Sequence, residues 1–122
     1  MSAEHGHLRK FQKELNAGIV ALVLLATLAD AREPQYGYQI AKRLERDNEN
    51  NPVMKQGTLY PVLRSLSASG LLDSYVEPSV SGPPRRYYTI TAAGRKVLSQ
   101  WKDAWMNTRD FVDIIMQDKR HE

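Results

Sequence analysis

The sequence contains no cysteine, which excludes a disulfide framework and any thiolate metal site. Histidine is scarce as well: His5 and His7 lie near one end and His121 near the other, too scattered to converge on a metal. No Ser/His/Asp set, paired-carboxylate cluster or phosphate-cradling glycine loop stands out, so no enzymatic activity, metal or cofactor is expected. Internal repeats and low-complexity tracts are missing, and 122 residues with 42% hydrophobic content describe one globular domain. Long apolar runs are missing too. The most apolar stretch, Ala17 to Ala29 (AGIVALVLLATLA), stops short of the about 20 residues a membrane span needs. With Arg9, Lys10 and Lys13 before it and Ala29-Asp30-Ala31 after it, the run imitates a secretory signal. Cleavage would remove the most apolar helix, so the run is read instead as the buried central helix of a cytoplasmic protein, with no membrane partner.

Acidic residues are thin in one region only. Residues 1–49 balance seven acids against seven bases. Residues 50–102 hold only Asp73 and Glu77 against Lys55, Arg64, Arg85, Arg86, Arg95, Lys96 and Lys102, a net +5, whereas residues 103–122 carry −2. The overall charge of +3 therefore conceals a basic middle, which points to a polyanion partner.

What is present reads as a mainly α chain with a small β-hairpin. The opening residues offer little to bury and are expected to be disordered. A first helix is expected over about 10–30. A second follows Glu33-Pro34 over about 36–48, beginning at Tyr36-Gly37, with Tyr36, Ile40 and Leu44 at helical spacing. A third spans about 57–69, with Pro61 in its first turn, Leu59, Val62, Leu63 and Leu66 inward, and Gly70 as its C-terminal cap. Residues 72–90 then form a two-stranded hairpin around a proline-rich turn. Thr91 caps a last helix over about 92–118, roughly 27 residues or about 40 Å long.

The third helix and the hairpin carry the chemistry. With the leucines turned inward, Lys55, Gln56, Thr58, Tyr60, Pro61 and Arg64 are left outward, a set suited to base edges and phosphates in a major groove. Gln pairs with adenine and Arg with guanine or phosphate. Arg85-Arg86, stiffened by Pro83-Pro84, suits the flanking backbone or a minor groove. A helix followed by a basic β-ribbon is the arrangement of a winged helix-turn-helix. Residues 1–91 are expected to form that DNA-binding unit and 92–122 a C-terminal dimerisation helix of the same structural unit. Tyr38, Lys10 and Lys13 complete the candidate DNA-binding set, the lysines as phosphate contacts. The same basic face would also suit a protein-interaction module with an acidic partner. Salt and sequence dependence separate the two readings.

These segments resemble the PadR family of bacterial transcriptional regulators. The likeness rests on Tyr36-Gly37-Tyr38-Gln39-Ile40, Gly57-Thr58-Leu59-Tyr60-Pro61-Val62-Leu63, Gly70-Leu71-Leu72, and Gly82-Pro83-Pro84-Arg85-Arg86-Tyr87-Tyr88 with Thr91-Ala92-Ala93-Gly94. It implies a winged helix-turn-helix dimer that represses by occupying a palindromic double-stranded DNA operator. The short segment after Gly94 resembles the compact subfamily with one C-terminal helix. Ser67-Ala68-Ser69 departs from the family, which usually carries a charged pair there, so no salt bridge is expected at that point.

The last helix repeats apolar residues by threes and fours. Val97, Leu98, Trp101, Ala104, Trp105, Thr108, Phe111, Val112 and Ile115 form a stripe wider than so small a domain covers alone, and a second copy of the chain is its simplest partner. Packing against the first helix competes with that reading. Some multidrug-responsive members of the resembled family stack flat aromatic ligands on a tryptophan of this helix. By that resemblance Trp105, with Trp101 four residues before it, is a candidate site for a small planar aromatic effector. Plain dimer packing is the alternative for both tryptophans.

Overall fold

The computed structural model describes residues 3–47 and 56–117. Helix α1 spans Ala3–Asp30, strand β1 Gln35–Tyr36, helix α2 Gly37–Asp47 and helix α3 Gln56–Ala68. Strands β2 (Leu72–Glu77) and β3 (Arg85–Ile90) follow, and helix α4 runs over Ala92–Met116.

The core is built where helical stripes meet. Val20, Leu24, Leu25 and Leu28 of α1, Ile40, Ala41 and Leu44 of α2, and Leu59, Leu63 and Leu66 of α3 are buried together with Leu72, Tyr88 and Leu98. Two polar residues on the buried face of α1 are satisfied within the helix. The Asn16 amide donates to the Gln12 carbonyl at 2.8 Å, and the Thr27 hydroxyl to the Val23 carbonyl at 2.7 Å. By length and composition α1 could cross a membrane, yet its most apolar positions fill the centre of this core.

The first helix starts at Ala3, not near residue 10, so of the opening residues expected to be disordered Ala3 to Leu8 are helical, and the two before them lie outside the described residues. The helical ones contain no proline, and Ala3, Glu4 and Leu8 are good helix formers that offset Gly6 and the two histidines. Glu4 lies in the first turn, and an exposed Lys10–Glu14 pair at 3.8 Å follows. A helix already nucleated by its packed C-terminal half extends outward through such residues at little cost. At its other end, Arg95 of α4 donates to the Ala29 carbonyl at 3.5 Å, and Asp30 pairs with Arg43 of α2 at 3.7 Å.

Two further expectations are corrected here. Tyr36 does not open the second helix. It is a strand residue whose N–H donates to the Gln39 side-chain oxygen at 3.1 Å, half of a capping box that starts α2. Its strand makes the hairpin a three-stranded antiparallel sheet of order β1-β3-β2. Pro61 is the sixth residue of α3 and so lies beyond the first turn. Its ring is on the exposed side, and the interruption costs one intrahelical hydrogen bond.

The turn from α3 into the sheet is tightly specified. Gly70 takes φ +80°, its N–H reaches the Ser67 carbonyl, and the Leu71 N–H reaches the Leu66 carbonyl, both at 3.0 Å. This is the Schellman closure. Thr91 caps α4 by accepting from the Gly94 N–H at 2.9 Å, while its hydroxyl donates to the Gly70 carbonyl at 2.8 Å. Gly94 is buried against this junction. A Cβ there would collide with the Leu71 carbonyl and lie 2.7 Å from Ile90 Cγ1.

Candidate nucleic-acid interface

A cleft of about 620 Å³ separates α3 from the hairpin, and its walls are aromatic and basic. Tyr60 and Arg64 come from α3, Tyr36 and Tyr38 from the β1–α2 junction, and Pro83 to Arg86 with Tyr88 from the hairpin. Local geometry explains the convergence. Gly37 leaves room for the Tyr60 ring, whose Cε1 lies 3.0 Å from where a Cβ would stand. Tyr60 is thus half-buried against the core rather than fully outward as the helical wheel suggested. Arg64, one turn on, is exposed.

Arg85 and Arg86 are both exposed, but alternation along β3 sends them to opposite faces. Arg86 donates to the Ser74 hydroxyl at 3.1 Å. The Arg85 guanidinium lies over the Tyr36 ring, 4.5 Å from its centroid. Burial pushes the Tyr88 phenol pKa up, while Arg86 and Arg64 pull it back. Burial also raises Tyr60, with Tyr38 adding to the effect. The Tyr60 and Tyr88 phenols therefore stay neutral hydrogen-bond donors in a cleft lined by three guanidinium groups, an arrangement that attracts phosphate.

A second groove, of about 430 Å³, runs between α1 and the start of α3 and is lined by Arg9, Gln12, Lys13, Asn16, Thr58 and Val62 among others. It brings Lys13 beside exposed Thr58, whereas Lys10 is engaged with Glu14. Lys55 lies outside the described residues, and of Gln56 only its place as the first residue of α3 is described. Sequence reasoning passed over three residues. Arg9 shares the Lys13 face four residues earlier. Lys42 stands four residues after exposed Tyr38, its ammonium 5.7 Å from that ring. Both were findable from i, i+4 spacing. Tyr36 was read as helical, and no local signal marked it as a partner of Arg85.

The stripe on α4 divides. Leu98 is only 4% exposed, and Val97 and Trp101 pack half-buried on the same core. Leu98, expected at a dimer interface, therefore belongs to the chain's own interior. Beyond it the stripe is open: Phe111 is 64% and Ile115 66% exposed, with Val112 also exposed. Leu8, Phe11 and Leu15 of α1 are exposed as well. Between the two helices lies an apolar groove of about 300 Å³ bounded by Leu15, Gly18, Ile19 and Leu22 on one side and Trp101, Ala104, Trp105 and Thr108 on the other.

Three helices, a basic hairpin wing to which the short strand β1 adds a third strand, and a long helix behind it define a winged-helix transcriptional regulator. The chain belongs to the PadR-like family of transcriptional regulators, whose pattern matches residues 24–100, and it is a DNA-binding regulator of that family. It is similar to the crystal structure of a PadR family transcriptional regulator from Eggerthella lenta, at 32% identity over 96% of this chain and 98% of that one, with a TM-score of 0.78. A transcriptional regulator from Clostridium thermocellum matches at 27% identity over 85% of this chain and 99% of that one, with a TM-score of 0.75. An uncharacterized protein from Lysinibacillus sphaericus is 29% identical over 83 residues, covering 68% of this chain and 76% of its own length.

Proposed function

We propose that the chain is a cytoplasmic homodimeric repressor that occupies a palindromic operator. The observation that supports this most directly is the cleft that gathers Arg64, Arg85 and Arg86 beside Tyr38 and Tyr60. In this reading the exposed face of α3 enters the major groove with Thr58 and Arg64, and Gln56, the first residue of the helix, reads a base there too. The wing arginines hold the flanking backbone or minor groove, and Lys13 with Arg9 meets a phosphate beside the helix start. The open half of the α4 stripe pairs with its copy and sets half-site spacing.

Competition between a sequence selected from a random duplex pool and unrelated duplexes tests the proposal. Affinity should fall steeply with salt while the selected sequence keeps its advantage. Equal binding to all duplexes, or none at low salt, overturns it. Release of DNA is assigned to the Trp101–Trp105 groove, whose apolar walls suit a planar aromatic effector. Titrating a panel of such compounds should quench tryptophan fluorescence in the native protein and less in Trp105→Ala. Quenching that is absent, or unchanged in the variant, leaves the tryptophans a packing role only.

A further inference from the structure

The outer face of the wing carries a row of tyrosines that DNA reading alone does not explain. Tyr36, Tyr87 and Tyr75 share one register line across the sheet, Tyr36 opposite Tyr87 and Tyr75 opposite Tyr87. Their rings touch, with centroids 5.5 Å apart in each pair, at 60° between Tyr36 and Tyr87 and 13° between Tyr75 and Tyr87. Tyr38 also stacks on Tyr36, at 6.3 Å and 17°. The Tyr36 ring therefore has two aromatic neighbours. Its backbone is fixed twice, by the β1–β3 ladder and by Gln39.

Arg85 has two competing neighbours on this face. Glu77 stands directly opposite it on β2, and Tyr36 stands on β1, across the central strand. A carboxylate would occupy the guanidinium N–H donors, whereas a ring takes its face and leaves in-plane donors open. The guanidinium lies over the ring, and both residues line the rim of the cleft.

We propose that Tyr36 is a positioning residue for DNA binding, which holds Arg85 away from Glu77 with its N–H donors turned to phosphate. A free arginine would surrender side-chain freedom on binding, and the ring removes part of that cost beforehand. The proposal rests on the reading that Arg85 contacts DNA.

The test measures affinity for the selected duplex across a salt series with Tyr36→Phe, Tyr36→Leu, Arg85→Gln and the Tyr36→Leu/Arg85→Gln pair. Tyr36→Phe keeps the ring and should bind like the native protein. Tyr36→Leu should weaken binding about two- to fivefold per wing with the salt slope unchanged, because no phosphate contact is lost. Arg85→Gln should lower that slope by about one per wing, and Tyr36→Leu should then add nothing. A full further loss in the Arg85→Gln background overturns the positioning role while leaving Arg85 on the DNA. Native affinity and slope in Arg85→Gln would instead overturn the underlying DNA contact. A measurement free of any folding defect accompanies these. The Arg85 side-chain protons of the native protein should show upfield ring-current NMR shifts that persist in Tyr36→Phe. Unshifted protons in the native protein also overturn the proposal.

Discussion

Tyr88 illustrates how one side chain serves both fold and interface. Its ring is buried on the core side of β3, only 5% exposed, while its hydroxyl end borders the cleft with Arg64 and Arg86. Burial raises its pKa more than the arginines lower it, and Tyr60 shifts the same way. A phenol with a folded-state pKa above its unfolded value binds its proton more tightly when folded. Its contribution is thus fully present below the ordinary value of about 10 and is lost as pH rises through the raised one. The urea midpoint should therefore hold steady through neutral pH and fall above about pH 10, with a shallower fall in Tyr88→Phe and Tyr60→Phe. An alkaline fall of equal steepness in both variants would assign it to other groups.

Among the elements, the junction of α3, β2 and α4 depends on Thr91. The residue supplies the N-cap of α4 and ties it to the Gly70 carbonyl that ends α3. Thr91→Ala should cost about 1–2 kcal/mol, and Thr91→Ser should restore most of it, both read from denaturant unfolding. This junction was legible in the sequence because caps are local: Gly70 and Thr91 declare themselves by residue type and position. The elements that were misread lack such marks. Strand β1 is two residues long and exists only through pairing with Tyr87 and Tyr88, partners about fifty residues away that no window reveals. The early start of α1 was hidden because its first turns bury nothing and so show no inward stripe. Tyr60 faced outward on the helical wheel, yet the space above Gly37 draws its ring inward. The exposed side of α3 was readable, since the leucine stripe fixes which side is turned to the core and leaves Thr58, Pro61 and Arg64 in the open.

For the whole molecule the open question is what covers the far ends of α1 and α4. Five large apolar residues at the end of α4, Phe111, Val112, Ile114, Ile115 and Met116, stand exposed along with Leu8, Phe11 and Leu15 of α1. A monomer rarely leaves so much contiguous apolar surface in water, and a two-fold partner presenting the same stripe would cover it. The two halves of the α4 stripe should then answer differently to substitution. Leu98 lies in the chain's own core, so Leu98→Ala should cost about 2–5 kcal/mol of folding stability without itself separating subunits. Phe111→Asp combined with Ile115→Asp should leave each folded unit intact but place charges at the contact, giving monomers by analytical ultracentrifugation. Those monomers should bind a palindromic duplex as two independent half-sites, with lower affinity and no dependence on half-site spacing. A native protein that sediments as a monomer at micromolar concentration, or a double variant that remains dimeric, would remove α4 from the interface and leave the spacing of half-sites to some other surface.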